Sequence, residues 1–179
     1  METQLPHDPF EDTGPRPFAT GYRSGSGEGP VYGGLAGAVL TGFLAAYWGD
    51  PRLYVLTILA LILSFYFFPL VELRRPQLGA NDDGLFIAGI GFIAWAEIAH
   101  LELFNTAVRQ ILLSTLIVTL HRPLEEAVAK PEKAVWYRNL MTRAYRRKSK
   151  TRIEVPLHPM KGRPEDILGR LRAYRAGGR

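Results

Sequence analysis

The chain of 179 residues contains no cysteine. That absence removes disulfide frameworks, thiolate zinc sites, iron–sulfur clusters and cysteine nucleophiles together. Histidine is scarce, present only as His7, His100, His121 and His158. Strands could bring His100 and His121 together, but no third ligand accompanies them, so satisfied or surface histidines are expected and no metal. Phosphate-cradling glycine loops are missing as well, because Gly33, Gly34 and Gly37 fall inside an uncharged apolar run. Asp82 and Asp83 stand in the turn sequence Asn81, Asp82, Asp83, Gly84, which accounts for them before any acid–base role. No catalytic motif remains, and neither enzymatic activity nor a cofactor is expected.

Charge is also absent from two long stretches. Residues 53–71 carry none, and 13 of these 19 residues are Leu, Ile, Val or Phe. At roughly −0.3 to −0.6 kcal/mol for each such residue near a helix centre, membrane insertion is favoured. Residues 31–48 are likewise uncharged and about long enough to cross the ~30 Å hydrocarbon layer. The link Gly49, Asp50, Pro51, Arg52 leaves room only for a tight turn, so a transmembrane hairpin is expected over 31–73, with spans near 31–48 and 53–73. Trp48 and Tyr54 would mark one membrane face, and Tyr32 with Tyr66, Phe67 and Phe68 the other.

Of the 22 Lys and Arg residues, Arg16 and Arg23 precede the hairpin, Arg52 lies in its turn, and the rest follow it. The positive-inside rule therefore expects both termini in the cytoplasm. Residues 1–30 are rich in Pro, Gly and Ser, hold Glu2, Asp8, Glu11, Asp12 and Glu28, and lack the basic start and apolar core of a signal peptide. A disordered arm is expected there. Within the first span, Gly33 and Gly37, Gly34 and Ala38, and Ala38 and Gly42 are each spaced four apart. Packing against the second span is the preferred reading of these residues, and the spacing also permits a homo-oligomer.

Residues 85–120 are apolar enough to suggest third and fourth spans. A carboxylate near a span centre costs about 2.5–3.5 kcal/mol, and stretching the first segment to span length brings in Glu97, His100 and Glu102, while the second centres on Arg109 and Gln110. Strands fit better. Gly89 and Gly91 mark a tight turn, and between residues 111 and 120 Leu112, Leu116, Val118 and Leu120 share one face in a period of two. Trp95, alternating with Ile93, is expected on a strand facing the core, and Glu97 is expected to pair with a basic neighbour.

The run Asp83, Gly84, Leu85, then Gly89, Ile90, Gly91, then Ile93, Ala94, Trp95, Ala96, Glu97, Ile98 resembles the strand-turn-strand signature of bacterial membrane-anchored pleckstrin-homology-like (PH-like) proteins. Thr151 to Leu157 resembles the late strand of that family and residues 164–174 its closing helix. The resemblance implies an α+β fold in which a two-helix transmembrane hairpin is followed, over residues 74–179, by a small antiparallel PH-like domain closed by a C-terminal helix. It also implies a bacterial inner-membrane location. Independently of the family, Ile167, Leu168, Leu171 and Tyr174 make one apolar helical stripe.

Residues 124–150 are expected as a basic helical insertion. Trp136, Tyr137, Leu140, Met141 and Tyr145 alternate there with Arg138, Arg143, Arg146, Arg147, Lys148 and Lys150. A helix with Trp136, Arg138, Arg143, Arg146, Arg147, Lys148 and Lys150 available for contact suits an anionic leaflet, where each basic residue contributes about 1 kcal/mol; a solvated basic connection that only reinforces the topology fits the same charges equally well. The expected function is a non-enzymatic binding or scaffold module whose partners are membrane lipid and another membrane protein. Nucleic acid is not expected, since no reading module accompanies the charge. The alternative is a four-span polytopic protein, an accessory subunit of a membrane complex or a small transporter-like component.

Overall fold

The computed structural model describes residues 17–108, 111–132 and 135–177. Its first large feature is a helical hairpin of α1 (Glu28–Trp48) and α2 (Pro51–Phe67), the second running on through a 3-10 turn at Phe68–Leu70. The turn between them forms because Gly49 takes a left-handed conformation and the Asp50 carboxylate accepts a hydrogen bond of 2.9 Å from Arg52 N–H, capping a helix whose first residue is proline. Both helices are long and apolar enough to cross a membrane. Protein covers little of either, and Val39, Phe43, Leu59 and Ile62 are among many large side chains left exposed.

Small residues decide which face of α1 meets α2. Val31, Gly34, Ala38 and Ala45 are buried. A β-carbon at Gly34 would lie 3.0 Å from the Ala60 carbonyl oxygen and 3.2 Å from the Ser64 β-carbon, whereas nothing stands within 4 Å of such an atom at Gly33 or Gly37. Gly42 faces Thr57. Two polar contacts join the helices in this otherwise apolar contact: Thr41 and Thr57 hydroxyls at 2.9 Å, and Ser64 Oγ donating to the Val31 carbonyl at 2.9 Å. The sequence stripe thus separates, with Gly34, Ala38 and Gly42 turned to α2 and Gly33 and Gly37 turned away from it.

The rest of the described chain forms two antiparallel sheets. One holds β1 (Phe18–Thr20), β2 (Leu78–Asn81), β3 (Gly84–Ile87), β4 (Gly91–Ile93) and β7 (Val128–Pro131) in the order β1-β2-β3-β4-β7. The other holds β5 (Ile98–Val108), β6 (Ile111–Leu120), β8 (Arg146–Arg147) and β9 (Arg152–Pro156) in the order β5-β6-β9-β8. A four-residue helix, α3 (Leu124–Ala127), leads into β7, and α4 (Pro164–Gly177) ends the described chain. Leu78, Leu85, Ile87 and Ile93 from the first sheet and Leu116, Val118, Ile153 and Val155 from the second share one core with Ile167, Leu168, Leu171 and Tyr174 of α4. Helix α4 packs on β5, β6 and β2, and Arg175 and Arg172 donate to the carbonyls of Ala99 and Leu101 on β5.

Strands over 85–120 agree with the sequence, down to the turns at Asn81–Gly84 and at Gly89 and Gly91, both in positive φ. Their pairing leaves the four-span alternative without its third and fourth helices. Three expectations are corrected. Residues 17–27 do not belong to a disordered arm: β1 pairs with β2, Tyr22 is buried and bridges Met160, and Arg23 N–H donates to the Pro159 carbonyl at 2.8 Å. Of the rest of that arm, residues 28–30 open α1 and residues 1–16 lie outside the described residues. Trp95 opens a 3-10 turn (Trp95–Glu97) instead of lying on a strand; its indole N–H donates to the Asn81 carbonyl at 2.9 Å while its ring stacks on Tyr174. Glu97 pairs with Arg122 at 3.8 Å. Residues 124–150 are not one helical insertion, because among their described residues α3 and a 3-10 turn at Trp136–Leu140 are the helical parts, and the segment contributes β7 to one sheet and β8 to the other.

Replacing Gly34 by Leu is expected to overpack the α1–α2 contact, at a cost of about 1–3 kcal/mol. Thermal unfolding of the detergent-solubilised protein checks this, with Gly33→Leu expected to leave the midpoint unchanged. An equally damaging Gly33→Leu would mean that the outer glycines pack against something too.

Candidate functional site

The end of α2 opposite the hairpin turn is where the helices meet the sheets. The aromatic residues Tyr66, Phe67 and Phe68 close α2, and Tyr32 stands in the first turns of α1 at the same end. Residues 135–144, between β7 and β8, are fastened to this end at two points. Thr142 N–H donates to the Tyr66 carbonyl at 2.9 Å, and Arg138 Nη2 donates to both carboxylate oxygens of Glu72, at 3.0 and 2.8 Å. Each partner of the ion pair is only partly exposed, so the attraction is less screened than on an open surface. Met141 and Ala144 are buried beneath the segment.

Held this way, the 3-10 turn presents apolar side chains outward. Trp136 is 74% exposed and Leu140 61%, with Val135 and Tyr137 exposed beside them. Four large apolar residues left uncovered in one short turn call for a non-aqueous neighbour. Tyr32, Tyr66 and Phe68 are themselves exposed at the helix ends to which Thr142 and Arg138 fasten the segment, and these residues at the hairpin base make up an aromatic collar.

The basic residues divide. Arg138 is committed to Glu72. Arg143 is exposed at the base and makes no ion pair among the described residues. Arg146 and Arg147 lie on β8, opposite Glu154 and Ile153. Arg147 donates to Glu125 at 2.6 Å; that hydrogen bond holds the Glu125 carboxyl below its usual range and raises Arg147. Lys148 and Lys150 occupy the turn from β8 into β9, where Lys148 N–H donates to the Arg152 carbonyl. Strand β9 runs from that turn toward Pro159, whose carbonyl accepts from Ser26 Oγ at 3.0 Å, at the root of α1. At ~3.3 Å per residue, the lysine turn therefore sits roughly 20 Å along the strand from the hairpin base. Of the seven contact residues read from the sequence, Trp136, Arg138 and Arg143 gather at the base, Arg147, Lys148 and Lys150 gather at the far end, and Arg146 lies between. Beside Arg146, partial burial first and that guanidinium second hold His158 below the ordinary histidine range.

His100 lies on β5 across from Thr119, and His121 follows β6. Among the described residues no group of three or more His, Asp or Glu side chains is placed to hold a metal ion. Sequence reasoning missed Glu72, Arg75 and Gln77, which follow α2; nothing in a local pattern marks them, because the partners of Glu72 and Arg75 lie some sixty residues away and Gln77 borders a cleft with residues 138–144. Arg75 pairs with Glu132, which also accepts from Gly89 N–H.

No family model, curated protein or solved structure matches the chain.

Glu72→Arg or Arg138→Glu alone is expected to loosen the 135–144 segment and raise its cleavage rate in limited proteolysis. The double exchange is expected to restore resistance, with a coupling on the order of 1 kcal/mol. Non-restoration would show that the pair does not fasten the segment.

Proposed function

We propose that this chain is an integral membrane protein of the bacterial inner membrane, in which the α1–α2 hairpin anchors a cytoplasmic PH-like domain acting as a non-enzymatic binding or scaffold module. The observation that carries the reading is the aromatic collar: Val135, Trp136, Tyr137 and Leu140, exposed and fixed by Tyr66 and Glu72 to the end of an apolar hairpin. Aromatic residues with one apolar and one polar side settle at the headgroup level, and a short turn that exposes Trp136 and Tyr137 between the aliphatic Val135 and Leu140 suits a seat on the leaflet. Two antiparallel sheets with an amphipathic C-terminal helix packed on strands of both support the PH-like assignment. The Lys and Arg bias toward the domain side supports the cytoplasmic orientation. Its partners are the lipid surface and a second membrane protein, the outer glycines Gly33 and Gly37 offering one small-residue face for close helix approach.

Because the chain has no cysteine, single-cysteine variants report cleanly. A nitroxide on Trp136→Cys or Leu140→Cys in liposomes is expected to report interfacial depth from oxygen against aqueous-relaxant accessibility, and one on Lys150→Cys to report water. Equal aqueous access at all three sites would remove the lipid-seated reading. In intact cells an impermeant maleimide is expected to label Asp50→Cys from outside and Lys150→Cys only after permeabilisation; the reverse pattern would invert the orientation.

A further inference from the structure

Between the 138–144 segment and the residues just after α2 lies a cleft of about 50 Å³, bordered by Pro69, Arg75, Gln77, Arg138, Thr142 and Arg143. At roughly 10–15 Å³ for each water-sized group it has room for a few such groups, the size of a phosphate. Its charges do not cancel. Arg75 is matched by Glu132 and Arg138 by Glu72, while Arg143 has no acidic partner among the described residues, leaving one net positive charge.

Gln77 supplies a second, independent sign. It is only 4% exposed, yet its side-chain amide makes no hydrogen bond among the described residues. The sole fully enclosed side-chain polar atom without a partner among those residues is Tyr174 Oη, so the Gln77 amide is not sealed in protein and reaches the cleft. A buried amide left for an outside partner is costly unless one arrives. Its two N–H donors and the Arg143 guanidinium together suit an oxygen-rich monoanion.

On the other side of Met141 runs an apolar groove of about 540 Å³ between the helix ends, bordered by Tyr32, Leu35, Leu61, Phe65, Phe68 and Val71. The wall between cleft and groove is thin: Pro69 and Thr142 border one, Phe68 and Met141 the other. An apolar groove continuing along a hairpin, beside a cationic cleft at its base, matches a molecule with an acyl chain and an anionic head.

We propose that cleft and groove together hold one anionic phospholipid, its phosphodiester against Arg143 and the Gln77 amide and an acyl chain along Phe65 and Phe68. One net positive charge matches a head with one net negative charge, and disfavours a zwitterionic head, which brings a cation among three guanidinium groups. This site rests on the membrane-seated reading above and goes beyond it, because a collar of aromatic residues contacts any lipid while this cleft selects one.

The test uses the full chain, delipidated in detergent and titrated with dioleoylphosphatidylglycerol or dioleoylphosphatidylcholine, with bound lipids counted by native mass spectrometry. One phosphatidylglycerol is expected to bind about tenfold or more tightly than phosphatidylcholine, the scale of a lost charged hydrogen bond. Arg143→Gln, a surface change that leaves the fold intact, is expected to erase the preference. Gln77→Leu is expected to weaken it, with circular dichroism confirming the fold, and Lys148→Gln with Lys150→Gln to leave it unchanged. Equal binding of the two lipids, or an Arg143→Gln variant that still discriminates, overturns the proposal. Displacement of phosphatidylglycerol by millimolar inorganic phosphate also overturns it, by giving the cleft to a soluble anion. If the Trp136 nitroxide is interfacial while the two lipids bind alike, this site alone fails; if that nitroxide is in water, the membrane-seated reading fails with it.

Discussion

Strand β1 lies before the hairpin and β2 after it, yet Phe18 pairs with Ala80 and Thr20 with Leu78. Everything else in the molecule depends on that pairing. Two strands separated by so long a loop would ordinarily face a closure penalty that grows with the logarithm of the loop length. Here α1 and α2 have already brought the ends together, since Gly27 packs against Leu70 at the hairpin base. The small residues that let α1 approach α2 therefore act at a distance, on the edge of a sheet. In return β1 carries Tyr22 into the core, where burial raises its phenol pKa to about 12 and keeps it neutral. Anchor and domain fold as one unit rather than as a tethered pair.

The same constraint fixes what faces the hairpin end. Three independent threads of chain return to it: residues 23–26 through Pro159, residues 71–77 directly from α2, and residues 138–144 through Tyr66 and Glu72. Each thread brings hydrogen bonds that are partly withdrawn from water, and bonds of that kind are harder to exchange for solvent than exposed ones. The 3-10 turn at Trp136–Leu140 has little internal hydrogen bonding to hold it. Its shape comes from its two ends, and its apolar side chains stay outward because Met141 and Ala144 already fill the space beneath.

Local pattern made some of this legible. The hairpin could be read because nineteen uncharged residues admit few structures, and β6 could be read because alternation over ten residues is a strong signal. The α4 stripe of Ile167, Leu168, Leu171 and Tyr174 was visible for the same reason. Strand β1 was not, since three residues carry no period and its partner lies beyond the hairpin. Trp95 misled because a 3-10 turn and a strand both place an aromatic against a core; only the bond to the Asn81 carbonyl and the stack on Tyr174 distinguish them. The basic segment misled most. Its spacing allows a helix, but Pro131 and the pull of two separate sheets give it a β-strand at each end, and neither sheet is visible from within the segment.

That division changes how charge acts. In a single amphipathic helix, six basic residues would approach a leaflet together and their attractions would add. In the folded chain Arg138 and Arg147 are neutralised by Glu72 and Glu125, and Lys148 and Lys150 stand roughly two Debye lengths from the hairpin base, at ~8–10 Å each. A surface field reaches them only weakly. With Arg146 drawn onto β8, Arg143 is the member of these six that stands at the base, where under the proposal one charge is too small to drive general adhesion but sufficient to discriminate between headgroups. In the proposed membrane-seated state, adhesion would fall to Trp136, Tyr137 and Leu140, whose contribution scales with apolar area and not with salt. The proposal thereby assigns anchoring and selection to different side chains of one short segment, which is why altering Arg143 would separate the two where altering Trp136 would not.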